Sequence, residues 1–203
     1  DIMWVATASG LYFSKSGSAK LESVSQITSD TSLKNQFLTT LIPEGKDFLW
    51  ITTANKIIKL NTTTGNTENY SIPNKVNGVD NKGNLTIISS YLDKNKTLWL
   101  GTFNLGLFSF NTFTKQFEQY TYRDIKKQDN SIFSITQTQL PDEENVLMLG
   151  ATGLGLGTFH TQTKKFTSFN SGTYKTVLGI KGYAFGLHNY DQKLWIASST
   201  GLH

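Results

Sequence analysis

A tryptophan-centred pentapeptide recurs along this chain at nearly constant intervals, and no other feature restricts its fold so sharply. The copies are Met3-Trp4-Val5-Ala6-Thr7, Leu49-Trp50-Ile51-Thr52-Thr53, Leu98-Trp99-Leu100-Gly101-Thr102 and Leu194-Trp195-Ile196-Ala197-Ser198. A degenerate copy, Leu147-Met148-Leu149-Gly150-Ala151, carries Met148 in place of the indole. The anchors at 4, 50, 99, 148 and 195 stand 46, 49, 49 and 47 residues apart. A repeat of about 48 residues marks an architecture in which each period is one supersecondary unit.

The agreement extends past the anchor. A polar turn follows it as Asn61-Thr62-Thr63-Thr64-Gly65, Asn111-Thr112-Phe113-Thr114-Lys115 and His160-Thr161-Gln162-Thr163-Lys164. Each turn leads to a segment ending in an aromatic residue, Tyr70, Tyr120 or Phe169. Apolar segments precede two of the turns (57–60 and 107–110), and further strand candidates precede the anchors (37–42, 85–91, 132–140 and 183–188). Each period therefore holds four short strands, a to d in chain order, with the tryptophan on b. Four such strands at this spacing fit the four-stranded antiparallel blade of a β-propeller.

The fold expected is all-β, a β-propeller with whole blades at 34–72, 84–122 and 131–170. Parts of blades are expected at 1–25 (strands b, c and d) and 182–203 (strands a and b), as in an incomplete fragment of a larger ring. A β-sandwich has no reason to repeat an indole at this interval, and the coil of a parallel β-helix is shorter. The anchors Trp4, Trp50, Trp99, Met148 and Trp195 are expected to pack between adjacent blades, where a large flat side chain fills one sheet face against the next. The small residue two positions after the anchor permits close backbone approach in the same layer. Composition agrees: aromatic residues reach 12%, with 17 Gly and only 3 Pro, a balance that favours strands and tight turns.

The repeat resembles the two-component regulator propeller repeat of bacterial sensor proteins. The pattern is Leu-Trp-hydrophobic-Gly-Thr, then Gly-Leu with an aromatic strand, then a turn and a strand ending in Phe or Tyr. Residues 98–120 fit it best, through Leu98-Trp99-Leu100-Gly101-Thr102, Leu105-Gly106-Leu107-Phe108-Ser109-Phe110-Asn111, Phe117 and Tyr120. Residues 145–169 fit with Met148 replacing Trp, and residues 47–70 lack the glycines. The resemblance implies the periplasmic sensor region of a Bacteroidetes hybrid two-component histidine kinase. There, seven-bladed propellers precede an immunoglobulin-like domain, a membrane helix and a cytoplasmic kinase, and commonly recognise oligosaccharides. The partners it implies are an oligosaccharide ligand and the remaining propeller and signalling domains of a parent chain, with a homodimer through propeller edges or faces.

Nothing in the residues argues for an enzyme or a cofactor. His160, His188 and His203 are isolated, and His160 occupies the turn position held elsewhere by Asn61 and Asn111. Asp142-Glu143-Glu144 beside Pro141 reads as a solvated acidic turn. Gly153-Leu154-Gly155-Leu156-Gly157 lies between strands b and c with no helix after it, so it lacks the helix N-terminus that a phosphate cradle uses. Cysteine is absent, which excludes a thiolate metal site. The net charge of +4 is scattered, unlike the basic stripe of a nucleic-acid binder. No apolar run approaches the roughly 18 residues of a membrane span.

Propellers bind partners on one end of the blades, where b–c and d–a loops emerge, and function lives in such loops. The ligand-binding candidates are Phe103 and Asn104 in a b–c loop and Tyr122, Arg123 and Asp124 in a d–a loop. They pair an aromatic face with planar donors and acceptors, the combination that suits a sugar. A ligand-sensing module, a protein-interaction scaffold and a propeller lyase or hydrolase all remain open at this point.

Overall fold

A computed structural model describes residues 2–81, 85–122, 130–137, 145–152, 154–169, 183–191 and 193–203. Among these residues the regular structure is twenty short β-strands and two single-turn 3-10 segments, Val24–Gln26 and Thr31–Leu33. The chain divides into two compact units, Asp1–Asn74 and Lys75–His203.

The first unit holds two antiparallel sheets. One is β1 (Ile2–Thr7), β2 (Gly10–Lys15) and β3 (Glu22–Ser23). The other is β4 (Thr40–Glu44), β5 (Phe48–Thr52), β6 (Lys56–Asn61) and β7 (Thr67–Ser71), each strand beside its neighbour in sequence. Apolar residues on β5 and β6 are buried, whereas Thr67-Glu68-Asn69-Tyr70-Ser71 on the edge strand β7 is mostly exposed. Polar side chains on an edge strand discourage pairing with other chains. Leu11, Val24, Leu33, Leu38, Leu49, Ile51, Ile58 and Leu60 form one core between the two sheets, with Trp4, Ala6 and Leu41 packed against it.

The second unit opens with a hairpin, β8 (Lys75–Val76) and β9 (Val79–Asp80), that the repeat pattern does not assign. Asn77 and Gly78 turn it with φ of 50° and 85°, as a two-residue Asn-Gly loop requires. Two four-stranded antiparallel sheets follow. One is β10 (Ile87–Leu92), β11 (Thr97–Thr102), β12 (Leu107–Asn111) and β13 (Phe117–Tyr120). The other is β14 (Ile132–Gln137), β15 (Val146–Ala151), β16 (Gly155–His160) and β17 (Lys165–Ser168). A third sheet has β18 (Ala184–Tyr190), β19 (Lys193–Ser198) and the two-residue β20 (Gly201–Leu202). The sequence reading ended this last blade at strand b; β20 adds the beginning of strand c, pairing Ala197 with Leu202 and Ser198 with Gly201. First strands neighbour one another, β10 beside β14 and β14 beside β18, the strand order of propeller blades. The fold is an all-β propeller.

All five anchors lie on strand b of their sheets, Trp4 on β1, Trp50 on β5, Trp99 on β11, Met148 on β15 and Trp195 on β19. Trp50, Trp99 and Met148 are buried, whereas Trp195 is 42% exposed. Within the second unit the anchors pack onto the following sheet. Trp99 joins a core with Ile135, Leu147, Leu149 and Phe159, its ring centroid 5.5 Å from that of Phe159. Met148 joins Ala184 and Ile196. Two buried indoles satisfy their N–H by donating to the a–b hairpin before them, Trp50 Nε1 to Glu44 Oε2 at 2.9 Å and Trp99 Nε1 to Asp93 Oδ2 at 2.8 Å.

The residue two positions past the anchor sets how closely the next blade approaches. A Cβ on Gly101 would lie 2.4 Å from the Ile132 carbonyl oxygen, and one on Gly150 would lie 2.6 Å from that of Ala184. Both carbonyls belong to strand a of the following sheet. The c–d turns share one cap: Asn61 Oδ1 accepts the N–H groups of Thr63 and Thr64, and Asn111 Oδ1 those of Phe113 and Thr114. In the third copy the ring nitrogen His160 Nδ1 accepts from Gln162 and Thr163.

Candidate functional site

The inner strands of the second unit share an irregularity at their start. Register passes from Ile87↔Thr102 to Ser89↔Gly101, from Ile132↔Ala151 to Ser134↔Gly150, and from Ala184↔Ser198 to Gly186↔Ala197. Each step leaves one extra residue, Ile88, Phe133 or Phe185. A β-bulge of this kind re-aims a side chain away from the face that the pleat would give it. The residue before each bulge, Ile87, Ile132 or Ala184, stays fully buried, while Phe185 is 46% exposed and Phe133 half-buried. Because β14 lies beside β18, the re-aimed rings meet: Phe133 and Phe185 are 5.4 Å apart at an edge-to-face angle of 65°. Tyr183 extends the group, 6.3 Å from Phe185 and 48% exposed.

Serines hold these strands in line. Ser89 Oγ donates to the Ile132 carbonyl at 2.7 Å, a buried bond between sheets. Ser134 Oγ accepts the backbone N–H of Leu187 at 3.0 Å. Phe133 and Phe185 are thereby mounted on strands rather than on a loop, which keeps their spacing fixed.

The sequence candidates fall as follows. Phe103 and Asn104 form the tip of the β11–β12 turn. Phe103 is 48% exposed, and its backbone N–H donates to Thr86 at 2.8 Å. Asn104 takes a left-handed φ of 65° and donates its backbone N–H to Ser131 Oγ at 2.9 Å. Ser131 lies immediately before β14, so this tip stands at the same end of the sheets as the aromatic row. Ser131 and Thr152 are cross-linked in turn, through Thr152 N to Ser131 O at 3.0 Å and Ser131 N to Thr152 Oγ1 at 3.2 Å. Tyr122 reaches the same network with its hydroxyl on the Thr152 carbonyl, and its ring packs 5.5 Å from Phe166. Its phenol is thus engaged in joining sheets, unlike the solvent-facing ring of Phe103. Arg123, Asp124 and the acidic triplet Asp142-Glu143-Glu144 lie outside the described residues.

The structure therefore brings Phe103, Asn104 and, through Ser131 and Thr152, Tyr122 to one rim. It adds Phe133, Tyr183 and Phe185, which the sequence reading did not single out. Among the described residues no group of three or more His, Asp or Glu side chains is placed to hold a metal ion. Among them, too, no helix is long and apolar enough to cross a membrane.

No family model matches the chain, and no curated protein matches it. Solved structures do. The extracellular domain of the putative hybrid two-component system BT4673 from B. thetaiotaomicron is 20% identical with a TM-score of 0.73, over 100% of this chain and 25% of that one. The corresponding domain of BT3049 from the same organism is 18% identical with a TM-score of 0.70, over 99% and 25%. PorZ, a surface component of the type-IX secretion system of Porphyromonas gingivalis, is 18% identical with a TM-score of 0.66, over 99% and 30%. The chain thus spans about a quarter of the length of the two-component domains it matches. At these identities the likeness concerns architecture, and what the chain shares with all three is the β-propeller fold.

Proposed function

We propose that this chain is part of the ligand-sensing propeller of a periplasmic two-component receptor, recognising an oligosaccharide and passing the signal to a histidine kinase elsewhere in a parent chain. The observation that carries the reading is the row of half-buried Phe133 and exposed Phe185 and Tyr183 at the end of the blades where the Phe103–Asn104 turn emerges. Aromatic faces stack on the C–H-rich sides of sugar rings, and hydroxyl and amide groups beside them select orientation. Fixed strands fit a sensor, because binding to a rigid platform leaves more of the interaction energy to act on a neighbouring domain. Two of the structural neighbours are described as extracellular domains of two-component systems, which supports the setting. The role proposed is non-catalytic, without a cofactor.

A second reading, an interaction scaffold or homodimer, is favoured by Phe113, a large apolar side chain 74% exposed in the turn between β12 and β13. Titration calorimetry against a panel of neutral and acidic plant and host oligosaccharides separates the two. Saturable binding that is lost in Phe133→Ala/Phe185→Ala supports sensing. No heat with any glycan, together with a concentration-dependent dimer in sedimentation, refutes it in favour of the scaffold.

A further inference from the structure

The opposite end of the same blades carries a second, chemically different concavity. It is a cleft of about 370 Å3 between the sheets β10–β13 and β14–β17, at the edge where a–b hairpins and c–d turns lie. That volume falls within the roughly 300–1,000 Å3 of small-molecule sites. Trp99 closes its floor, and nearly all the remaining lining is polar.

Its polar groups divide into two sets. The charged ones are already engaged. Asp93 receives Trp99 Nε1 at 2.8 Å on one oxygen and the Thr97 N–H at 2.9 Å on the other. Glu118 accepts the Tyr120 hydroxyl, a phenol that burial first and Glu118 second hold in its protonated, donating form. Lys164 crosses the cleft, with its Nζ 3.9 Å from Glu118 and 5.0 Å from the Tyr120 ring centre. Lys164 offsets Glu118, and Asp93, with an N–H donor on each oxygen, leaves one net negative charge in the cleft wall. The lining also has five carboxamides; Asn111 spends its oxygen on the c–d turn, which leaves Asn95 and Gln116 on one sheet and Asn145 and Gln162 on the other. None of these amide groups takes a side-chain hydrogen bond among the described residues. Each offers two donors and an acceptor, and they face one cleft from both walls.

We infer that this cleft is a binding site for a neutral polyhydroxylated ligand, a sugar unit held by its hydroxyl edges between the amides of Asn95 and Gln116 and those of Asn145 and Gln162. Vicinal hydroxyls donate and accept at once, as carboxamides do, and an uncharged ligand displaces none of the contacts that Asp93, Glu118 and Lys164 already make. An apolar ligand finds only the floor, and a peptide strand finds no open edge there. The site is separate from the aromatic rim and does not depend on the sensing role. Its natural consequence is that one blade pair touches saccharide at both ends.

The test is side-chain amide NMR on the 203-residue chain, with glucose, galactose, mannose and xylose as neutral probes and glucuronate and glucosamine as charged ones. Saturable shifts of the Asn95, Gln116, Asn145 and Gln162 NH2 signals by a neutral sugar are expected. In Asn145→Ala/Gln162→Ala, with its melting curve checked against wild type, affinity should fall about tenfold or more, whereas Phe103→Ala should leave it unchanged. Shifts confined to residues 103–104, 131–133 and 183–185 would overturn the cleft and leave the rim reading standing. No saturable shift with any neutral sugar up to about 50 mM, or clearly tighter binding of a charged probe, would also overturn it.

Discussion

Replacing Gly101 by Ala tests the idea that blade spacing is set by the residue two positions past the anchor. A Cβ there lies 2.4 Å from the Ile132 carbonyl and 2.1 Å from Ser89 Oγ. The carbonyl is backbone of the next sheet, and Ser89 is the donor of the 2.7 Å bond to it. Relief therefore requires the sheets to separate and the serine to swing away. Overpacking of this kind costs about 1–3 kcal/mol, and the lost buried bond adds about 1 kcal/mol. The lower entropy of an unfolded Ala chain returns about 0.4–1 kcal/mol. The net expectation is a loss of about 2–3 kcal/mol, or a melting temperature lower by about 5–10 °C for a unit of this size. Gly186→Ala is the control, since the nearest atom to its Cβ is 3.5 Å away. It should melt within about 2 °C of wild type. Scanning calorimetry of both reads the difference. Equal melting of the two variants would refute the spacing argument.

Other outcomes follow from the same coordinates. Trp99→Ala removes on the order of 200 Å2 of buried aromatic surface and should cost about 3–5 kcal/mol by urea denaturation, against less than about 1.5 kcal/mol for the 42%-exposed Trp195. His160→Asn restores the carboxamide cap of the other two turns and should be neutral or stabilising, whereas His160→Ala should lose about 1 kcal/mol. Asp30 is partly buried, which would raise its pKa, yet hydrogen bonds from Ser32, Thr67 and Asn69 outweigh this and lower it from 3.8 to about 2. A carboxylate favoured by folding contributes fully above about pH 4 and loses that contribution as pH falls towards 2. Acid titration of stability should show this limb, and Asp30→Asn should flatten it.

What was legible depended on whether a feature repeats in sequence or arises in register. The indole spacing places strand b in every blade because packing between sheets demands a large flat side chain at one height. Asn61, Asn111 and His160 mark the c–d turns because each supplies an acceptor two and three residues ahead of a bare N–H. The Asn77-Gly78 hairpin was readable from its turn chemistry, yet it lies between repeats and escaped a reading built on them. The bulges were not readable: Ile87-Ile88, Ile132-Phe133 and Ala184-Phe185 are adjacent apolar pairs, and only the facing strand reveals which member is extra. Tyr122 has the residue type of a sugar contact, and its bond to Thr152 depends on a neighbouring blade that no local pattern reports. The cleft amides likewise come from two periods, each unremarkable alone.

The bulge has a consequence for how such a chain could diversify. One structural slot is filled by Ile88, Phe133 and Phe185, while the preceding Ile87, Ile132 and Ala184 remain apolar and fully buried. An extra residue that takes no part in the pleat is uncoupled from the hydrophobic interior. Substitution there exchanges the chemistry displayed at the blade ends without asking the packed layers beneath to change, so recognition and folding answer to different positions on the same strand.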